Sequence, residues 1–438
     1  MKKKTMICAL ACLAFSVGAT AQTQRNVTVQ ELFSMLESSN NALKVQKTEV
    51  DVAQRGIEEA KSRRLPDLNA SLSVSYNGNV LMTDRDFGNA KGLTQPHFGN
   101  SFALEAQQVV YAGGAIDAGI RMAELQREQS ENGVSIVRNR QRLIAIGQYL
   151  DLCKLNNGIK VYDSNISLTE KLIADIKAKQ SQGMALKNDV TRYELQMEQL
   201  KLGKRKLEDQ KAIANHQLSN TLGLSDVEIV PQLSLEGNGT ESVADSQMQD
   251  QAAASSPVVK QTAIGMQMAE QQLRLAKSEL MPKVAVVAAD NFAGPFTYDI
   301  PPIDKNFNIW YVGVGVKYSI SSLFKGNKTV RKAKEQLRQS REAHSLSGET
   351  VNNSVQQACT MHRQAFVDLR TQEKSVELAN QNYKVMTDRY LNQLALVTDM
   401  VDASNIKLNA ELNEVNAKIN IAYTYYNMQY ATGKLGEE

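Results

Sequence analysis

The chain has 438 residues, 42% of them hydrophobic and 6% aromatic, which is enough for one large core or about two to three domains and excludes a disordered tail or a minidomain. The formal net charge is +3, and the lysines at positions 2 to 4 supply all of it, so the chain beyond residue 21 carries 47 basic and 47 acidic side chains. A neutral mature chain argues against a nucleic-acid binder.

The first 21 residues have the pattern of a secretory signal peptide. A basic start is followed by a short apolar segment from about Met6 to Val17 and by the small-residue cleavage site Ala19-Thr20-Ala21. We expect cleavage after Ala21 and export from the cytoplasm. An N-terminal membrane anchor is the alternative, but the apolar run is shorter than the roughly 20 residues that span a bilayer. Lipid attachment at Cys12 is a second alternative, which would leave a very short apolar segment.

The rest of the sequence contains one unit written twice. At an offset of 216, the residues Ala53, Ala60, Lys61, Ser62 and Pro66 recur as Ala269, Ala276, Lys277, Ser278 and Pro282. At an offset of 210, the residues Ala123, Ala185, Leu186, Asp189 and Gly223 recur as Ala333, Ala395, Leu396, Asp399 and Gly433. We therefore predict a first repeat over 22–223, a polar linker or equatorial segment over 224–256, and a second repeat over 257–438.

Each repeat begins with a helix-period stretch, at about 29–64 and 257–280, that ends at a proline and is followed by a predicted strand hairpin. The hairpins lie at about 67–111 and 283–320, and their long connections are rich in Gly, Asn, Asp and Pro. Apolar residues occupy alternate positions in two of the strands: Leu68, Ala70, Leu72, Val74 and Tyr76 in the first repeat, and Trp310, Val312, Val314, Val316, Tyr318 and Ile320 in the second. This alternation predicts strands with one face in an apolar medium and the other in water.

Long helices follow each hairpin, over about 115–223 and 325–433. Both regions lack proline and carry apolar residues at alternating spacings of four and three, which predicts a coiled-coil seam: Leu186, Val190, Tyr193, Met197 and Leu200 in the first, and Leu408, Leu412, Val415, Ile419, Ala422 and Tyr426 in the second. The pattern pauses near 181–185 and 392–395, so each repeat is predicted to form two long antiparallel helices. The helix at about 115–180 would be roughly 100 Å long, at a rise of about 1.5 Å per residue.

Four amphipathic strands in one chain cannot cross a bilayer alone. Their open edges would leave backbone groups unpaired in hydrocarbon, and membrane barrels use at least about eight strands. We therefore predict a mainly α fold with a membrane β-barrel, in which a homotrimer forms a 12-stranded barrel continued by an α-helical barrel. Six aromatic residues near strand ends are candidates for interfacial girdles, with the core of a soluble sandwich as the alternative: Tyr76, Phe102, Tyr111, Phe292, Trp310 and Tyr318.

Asp399 and Asp402 are the candidate functional carboxylates, because they are three residues apart on one predicted helix and so share a face. Three copies would place six carboxylates around a narrow axis, an arrangement that favours cations. The alternative is that both are ordinary solvated helix residues. No phosphate-binding loop, G-x-S-x-G motif or His-based zinc spacing occurs in the sequence, so we expect neither catalysis nor a cofactor.

The combination of a signal peptide, a duplicated strand hairpin and long helix pairs resembles the TolC-like outer-membrane efflux proteins over nearly all of the mature chain. The most specific part is Arg389-Tyr390 followed by the segment Asp399 to Ala403, which is similar to the second-repeat tip motif of the family. The segment from Gln182 to Val190 is similar to the first-repeat tip.

The resemblance implies a passive homotrimeric exit duct in the outer membrane, in contact with its lipid, which extends into the periplasm. Its implied partners are a periplasmic adaptor, or membrane fusion protein, and an inner-membrane pump of the RND or ABC type.

The resemblance also implies roles for individual tip residues. Asp399 and Asp402 line the periplasmic constriction, and a contact between Tyr390 and Asp189 helps to hold it shut. Gly183, Met184 and Arg389 form the adaptor-docking tip.

The sequence departs from the family at two places in the tip. Ala395 stands where the family has an arginine that pairs with the first repeat, here opposite Asn188. This substitution leaves a second lock in doubt. Gln393-Leu394 replaces the Gly-Thr of the second tip, which weakens the expected adaptor contact there.

Two other classes of protein remain as alternatives. A periplasmic adaptor also carries helical hairpins, but it would need lipoyl-like and small-barrel segments that the sequence does not display. A secreted structural coiled coil would not need doubled hairpins with lipid-type alternation.

Overall fold

We examined a computed structural model, which describes residues 23–224, 227–233, 245–297 and 302–436. The predicted signal peptide, residues 1–21, lies outside the described residues. The chain divides into two compact units. Of the described residues, 23–40, 144–224, 227–233 and 364–425 form the tip unit, and 41–143, 245–297, 302–363 and 426–436 form the sheet unit.

Helices dominate the described part of the chain. They are α1 (Val29–Ser39), α2 (Asn41–Ser62), α3 (Ala115–Ser181), α4 (Lys187–Leu222), α5 (Asp245–Ser255), α6 (Pro257–Ser278), α7 (Ser322–Leu391) and α8 (Val397–Ala431). The ends of α2 and α6 differ by 216 residues, and the starts of α4 and α8 differ by 210, which are the two offsets of the sequence repeat. α2 and α6 thus end, and α4 and α8 begin, at equivalent residues of the two repeats, while the repeat boundaries themselves remain predictions.

The first helical stretch is interrupted, although the sequence predicts one helix over about 29–64. Thr28 and Glu31 form a capping box at the start of α1, which supplies partners for backbone N–H groups that have none within the helix. Asn40 then adopts an extended conformation, with φ −62° and ψ 123°, and its backbone N–H donates to the Leu36 carbonyl. Because that extended residue ends α1, the stretch consists of α1 and α2.

The strands are β1 (Thr23–Val27), β2 (Asp67–Tyr76), β3 (Val80–Met82), β4 (Lys91–Leu93), β5 (Phe98–Tyr111), β6 (Val227–Pro231), β7 (Lys283–Gly294) and β8 (Phe307–Lys317). The sheet unit contains a four-stranded antiparallel sheet in the order β2-β5-β7-β8, and β3 pairs with β4 in a small hairpin within the first long connection. The two hairpins of the repeats are therefore adjacent in one sheet. β2 and β8 are its edge strands.

The register of the sheet puts the alternating apolar residues of both edge strands on one face. Leu68 lies opposite Ala106, Ala106 opposite Ala288, and Ala288 opposite Val312, so the four form one row across the sheet. Every residue of β2 and β8 is exposed. Because a soluble sandwich would bury this face under a second layer, the sandwich alternative does not describe these strands.

All six predicted girdle aromatics are also exposed, with exposed fractions from 41% for Phe292 to 72% for Tyr76. They therefore lie on the surface of this chain and not in a sandwich core. This exposure is compatible with the predicted girdles, which remain a prediction.

The segment between the repeats contains more structure than the predicted linker. β6 pairs in parallel with β1, so residues 23–27 and the segment after α4 form one two-stranded sheet. Asn215 of α4 binds β6 from the side: its Nδ2 donates to the Val227 carbonyl at 2.9 Å and its Oδ1 accepts from the Ile229 N–H at 2.8 Å. The polar composition of 224–256 concealed both β6 and α5, while residues 234–244 lie outside the described part.

Among the helices of the described residues, none combines the length and the apolar character that a bilayer-spanning helix requires.

Candidate functional site

The candidate residues cluster at the two turns that join the long helices of the tip unit. Residues 182–186 connect α3 to α4, and residues 392–396 connect α7 to α8. The same residue positions of both repeats therefore form the two turns.

Both turns begin with the same helix-ending motif. Gly183 has a positive φ of 77°, its N–H donates to the Gln180 carbonyl at 3.0 Å, and the N–H of Met184 donates to the Lys179 carbonyl at 2.9 Å. In the second turn, Gln393 has φ 62° and donates to the Tyr390 carbonyl at 3.0 Å, and Leu394 donates to the Arg389 carbonyl at 2.8 Å.

This pattern is a Schellman motif, in which the residue after the helix takes the left-handed conformation that glycine adopts without strain. The second turn therefore keeps the backbone geometry of the first although it lacks the glycine. The replacement of that glycine by Gln393 changes the side chain at this position and leaves the turn type unchanged.

Both turns end in the same way, with an aspartate at the start of the next helix. The Asp189 Oδ2 accepts from the Leu186 N–H at 3.2 Å, and the Asp399 Oδ2 accepts from the Leu396 N–H at 3.1 Å. Each carboxylate lies in the first turn of its helix, where the helix dipole favours negative charge. The two aspartates therefore share a capping role, which the sequence analysis did not assign to either.

A small apolar core lies beneath the turns and joins all four long helices. Its buried members are Leu172 and Ile176 of α3, Val190 and Tyr193 of α4, and Val397 and Met400 of α8, and Tyr383, Met386 and Tyr390 of α7 pack against them. The ring centroids of Tyr193 and Tyr390 are 6.4 Å apart. Tyr390 thus packs onto the first repeat through its ring as well as carrying the hydroxyl that the resemblance singles out.

The tyrosines of this core remain protonated. Burial, aided by the charge of Asp189, raises the pKa of the Tyr193 hydroxyl well above its usual range and raises the pKa of Tyr390. Burial also raises the pKa of Tyr383. The charge of Asp189 contributes to both shifts, while its Oδ2 accepts from the backbone of its own turn, so the gate contact between Asp189 and Tyr390 stays a prediction.

Two basic side chains donate hydrogen bonds to backbone carbonyls near the second turn. Arg389 donates from Nη2 to the Leu394 carbonyl at 3.4 Å, within its own turn, and Lys179 donates from Nζ to the Leu391 carbonyl at 2.9 Å, across to the second repeat. Lys179 is the first-repeat equivalent of Arg389 at the offset of 210. Arg389, predicted at the docking tip, is therefore exposed and also supports the turn.

The remaining predicted site residues lie on the surface. Gly183, Asp399 and Asp402 are exposed, and Met184 is 49% exposed. Met184 is accompanied by three leucines with exposed fractions of 68% to 71%, namely Leu186, Leu394 and Leu396. The predicted placement of Leu186 in the coiled-coil seam is wrong, because this residue lies in the turn before α4, and the sequence analysis assigned no surface role to Leu394 or Leu396. At the offset of 210, Leu396 is equivalent to Leu186 and Leu394 is equivalent to Met184.

No group of three or more His, Cys, Asp or Glu side chains in the described ranges is placed to hold a metal ion. The cysteines Cys153 and Cys359 are both buried. Burial raises the pKa of the Cys153 thiol to about 12.

Comparisons with known proteins agree with this architecture. Residues 248–434, which include all of the second repeat's strands and long helices, match the family of outer membrane efflux proteins. A search of curated proteins gave no significant match.

Solved structures with the same fold include three bacterial channels or membrane proteins. The outer membrane protein VceC from Vibrio cholerae is 14% identical with a TM-score of 0.75, over 94% of this chain and 97% of that one. The Campylobacter jejuni CmeC outer membrane channel is 14% identical with a TM-score of 0.74, over 93% and 85% of the two chains.

The Neisseria gonorrhoeae MtrE outer membrane channel, solved in its open state, is 13% identical with a TM-score of 0.72, over 93% of this chain and 89% of that one. At such identities the likeness is one of fold, and the family match comes from the second repeat. The second repeat of the chain therefore matches the outer membrane efflux protein family, and the chain shares its fold with solved outer membrane channels over 93% to 94% of its length.

Proposed function

We propose that the protein is the passive exit duct of a tripartite efflux or secretion system, a homotrimeric channel that crosses the periplasm from the outer membrane and is gated at its helical tips. The observation that carries the proposal is the four-stranded sheet, whose edge strands β2 and β8 have unpaired outer edges and exposed apolar faces.

The open edges are the reason to expect several copies. Within one chain, β2 pairs only with β5 and β8 only with β7 in the described residues. An unpaired backbone edge in hydrocarbon costs several kcal/mol per group, so β2 of one copy must pair with β8 of the next. Two copies would give eight strands, about the smallest membrane barrel, and three would give twelve. We propose three on the resemblance to TolC-like proteins.

We propose further that the tip is the gate. Tyr390 packs beside Tyr193 and lies within the electrostatic influence of Asp189, which supports a contact between repeats that holds the tip closed. Asp399 and Asp402 are both exposed on the first turns of α8, where three copies would bring them around one axis. MtrE has an open state, and the likeness of this chain to it supports a tip that changes conformation.

The tip is also the proposed docking surface. Gly183, Met184 and Arg389 lie at or beside the two turns, and the exposed leucines 186, 394 and 396 extend this surface with apolar side chains. A periplasmic adaptor is the proposed partner, with an inner-membrane pump of the RND or ABC type supplying the energy. The sequence contains no phosphate-binding loop, so the duct would conduct passively.

The proposed function can be tested by fractionation and bilayer recording. Extracts of the outer membrane should yield a species with three times the mass of the mature chain by native mass spectrometry, and this species should form ion-conducting channels in planar bilayers. A soluble or inner-membrane protein, or an oligomer that never conducts, would exclude the duct.

The gate needs variants that spare the turn. Tyr390→Phe removes only the hydroxyl, and Asp189→Asn removes the charge while keeping an oxygen that accepts from Leu186, so neither should unfold the tip. We expect the double variant to raise the open probability of single channels. Tyr423→Phe, a change of the same kind at an exposed tyrosine of α8 outside the tip core, is the matched control. Unchanged open probability in the double variant would mean that the gate contact lies elsewhere.

A further inference from the structure

Arg192 and Asp402 occupy the same position in the two repeats. Each is the sixth residue of its helix, in α4 and α8 respectively, and each follows its capping aspartate by three residues. Each also follows a buried core residue, Val190 or Met400, by two positions, which places it about 200° around the helix from that residue. Where the first repeat has a cation, the second has an anion on the equivalent face.

Both charges are free to act outside their own chain. Arg192 and Asp402 are exposed, and neither has an ion-pair partner among the residues that the structure describes. Three nearby carboxylates are engaged: Glu194 of α4 pairs with Lys177 of α3 at 2.7 Å, and Asp189 and Asp399 cap their helices. Arg192 and Asp402 are opposite in sign, and each chain carries one of each.

A ring of copies would place these charges alternately. In any closed ring of a two-repeat chain, first and second repeats follow one another, so every Arg192 has an Asp402 on either side. We propose that Arg192 and Asp402 form a ring of alternating charge at the tip constriction, and that Arg192 sets the ion selectivity of the channel by offsetting the carboxylates. This inference rests on the proposed duct and adds a residue that the sequence analysis did not single out.

The alternation changes the expected selectivity. A ring of carboxylates alone makes a pore cation-selective, as the sequence analysis predicts for Asp399 and Asp402. With Arg192 in the same layer, the net charge of that layer is zero for any number of copies. The charge of Asp189 and Asp399 is partly offset by the positive N-terminal ends of α4 and α8. The constriction should therefore discriminate only weakly between small cations and anions.

The experiment is a reversal-potential measurement on purified channels in planar bilayers under a potassium chloride gradient. The proteins are the wild type, Arg192→Gln, Asp402→Asn and the double variant, each checked for its oligomeric mass. We expect Arg192→Gln to raise the potassium-to-chloride permeability ratio at least about twofold, Asp402→Asn to lower it by a similar factor, and the double variant to return it close to the wild-type value.

Lys206→Gln is the matched control. Lys206 is exposed on the same helix, about 21 Å further along α4 at 1.5 Å per residue, so its loss should leave the ratio unchanged. A charge swap, Arg192→Asp with Asp402→Arg, should also conserve the wild-type ratio, because the alternation is kept. Since all these positions are exposed, their replacement removes no core contact.

The outcomes separate this inference from the proposed function. If the channel conducts and Arg192→Gln leaves the ratio unchanged, or if both single variants shift it in the same direction, the alternating ring is wrong while the duct stands. If the wild-type oligomer forms no channel, the proposed function itself fails.

Discussion

The two tips of the molecule share a backbone and differ in their side chains. Both use a left-handed residue to end one helix and an aspartate to cap the next, with matching hydrogen bonds at equivalent positions. The left-handed residue is Gly183 in the first tip and Gln393 in the second. Three residues beyond the caps, the first tip carries a cation and the second an anion. The two repeats therefore preserve the backbone geometry of the turn, while the charge and size of the surface side chains differ between them.

A buried position at which the two repeats carry side chains of very different size gives the largest expected effect on stability. Tyr193 is 1% exposed, and its equivalent Ala403 is also 1% exposed, so the two repeats bury side chains of very different size at this position. Tyr193→Ala should lower the free energy of unfolding by about 3–5 kcal/mol, because it leaves a cavity in the tip core. Chemical denaturation followed by circular dichroism measures this loss.

Tyr423→Ala is the control for that variant, since Tyr423 of α8 is 41% exposed and should lose far less stability. Equal losses at the two positions would contradict the account of the tip core.

The shared caps give the next effect. Asp189→Ala and Asp399→Ala should each destabilise the first turn of the following helix by about 1 kcal/mol, because each leaves a backbone N–H without its acceptor. The matching Asn variants keep an acceptor and should lose less. Hydrogen exchange of peptides that span 184–190 and 394–400 reports the local opening. If these peptides exchange as slowly in the Ala variants as in the wild type, the capping aspartates contribute nothing to the stability of the helix ends.

Replacing Gln393, which stands where the first turn has a glycine, should have a smaller effect that increases stability. Gln393→Gly should stabilise the second tip by about 0.5–1 kcal/mol, because glycine adopts a positive φ without the cost that other residues incur. Gly183→Gln should destabilise the first tip by a similar amount, since no neighbouring atom lies within 4 Å of an added Cβ and only the backbone strain acts. Thermal melting of the oligomer compares the two, and changes of the same sign would refute the equivalence of the turns.

The smallest expected effect concerns one hydroxyl. The Tyr193 Oη is buried and has no hydrogen-bond partner in the described structure. Tyr193→Phe should therefore be neutral or stabilise the protein by up to about 1 kcal/mol, because it removes an unsatisfied buried polar group. Its melting temperature should equal or exceed that of the wild type, whereas a clear decrease would show that the hydroxyl has a partner in the assembled protein.

Much of the fold was predictable because its signals are periodic. The alternation from Leu68 to Tyr76 lies within β2, and that from Trp310 to Val316 lies within β8, which ends at Lys317 before Tyr318 and Ile320. The pauses in the heptad pattern coincide with the two turns. The break at Asn40 and the helix α5 were not predictable, because apolar periodicity does not register a single extended residue and the composition around α5 resembles that of a loop.

The site was predictable in its location and less so in its chemistry. The motif around Arg389 and Asp399 identified the tip, but the sequence could not show that Asp399 and Asp189 cap their helices, since capping depends on the turn geometry. Arg192 could have been found from the sequence, because the offset of 210 makes it equivalent to Asp402. The packing of Tyr193 against Tyr390 required the structure, because residues almost two hundred positions apart meet there.

The pairing of β2 with β8 between copies is the central claim, and disulfide cross-linking tests it most directly. Within one chain β5 and β7 separate these strands, which puts them about 14 Å apart, too far for a disulfide. Cysteines placed in β2 at Ser71 or Ser73, combined with cysteines in β8 at Gly313 or Gly315, should under oxidation in outer membranes link chains into dimers and trimers for at least one of the four combinations. Monomers alone from all four combinations would contradict the account.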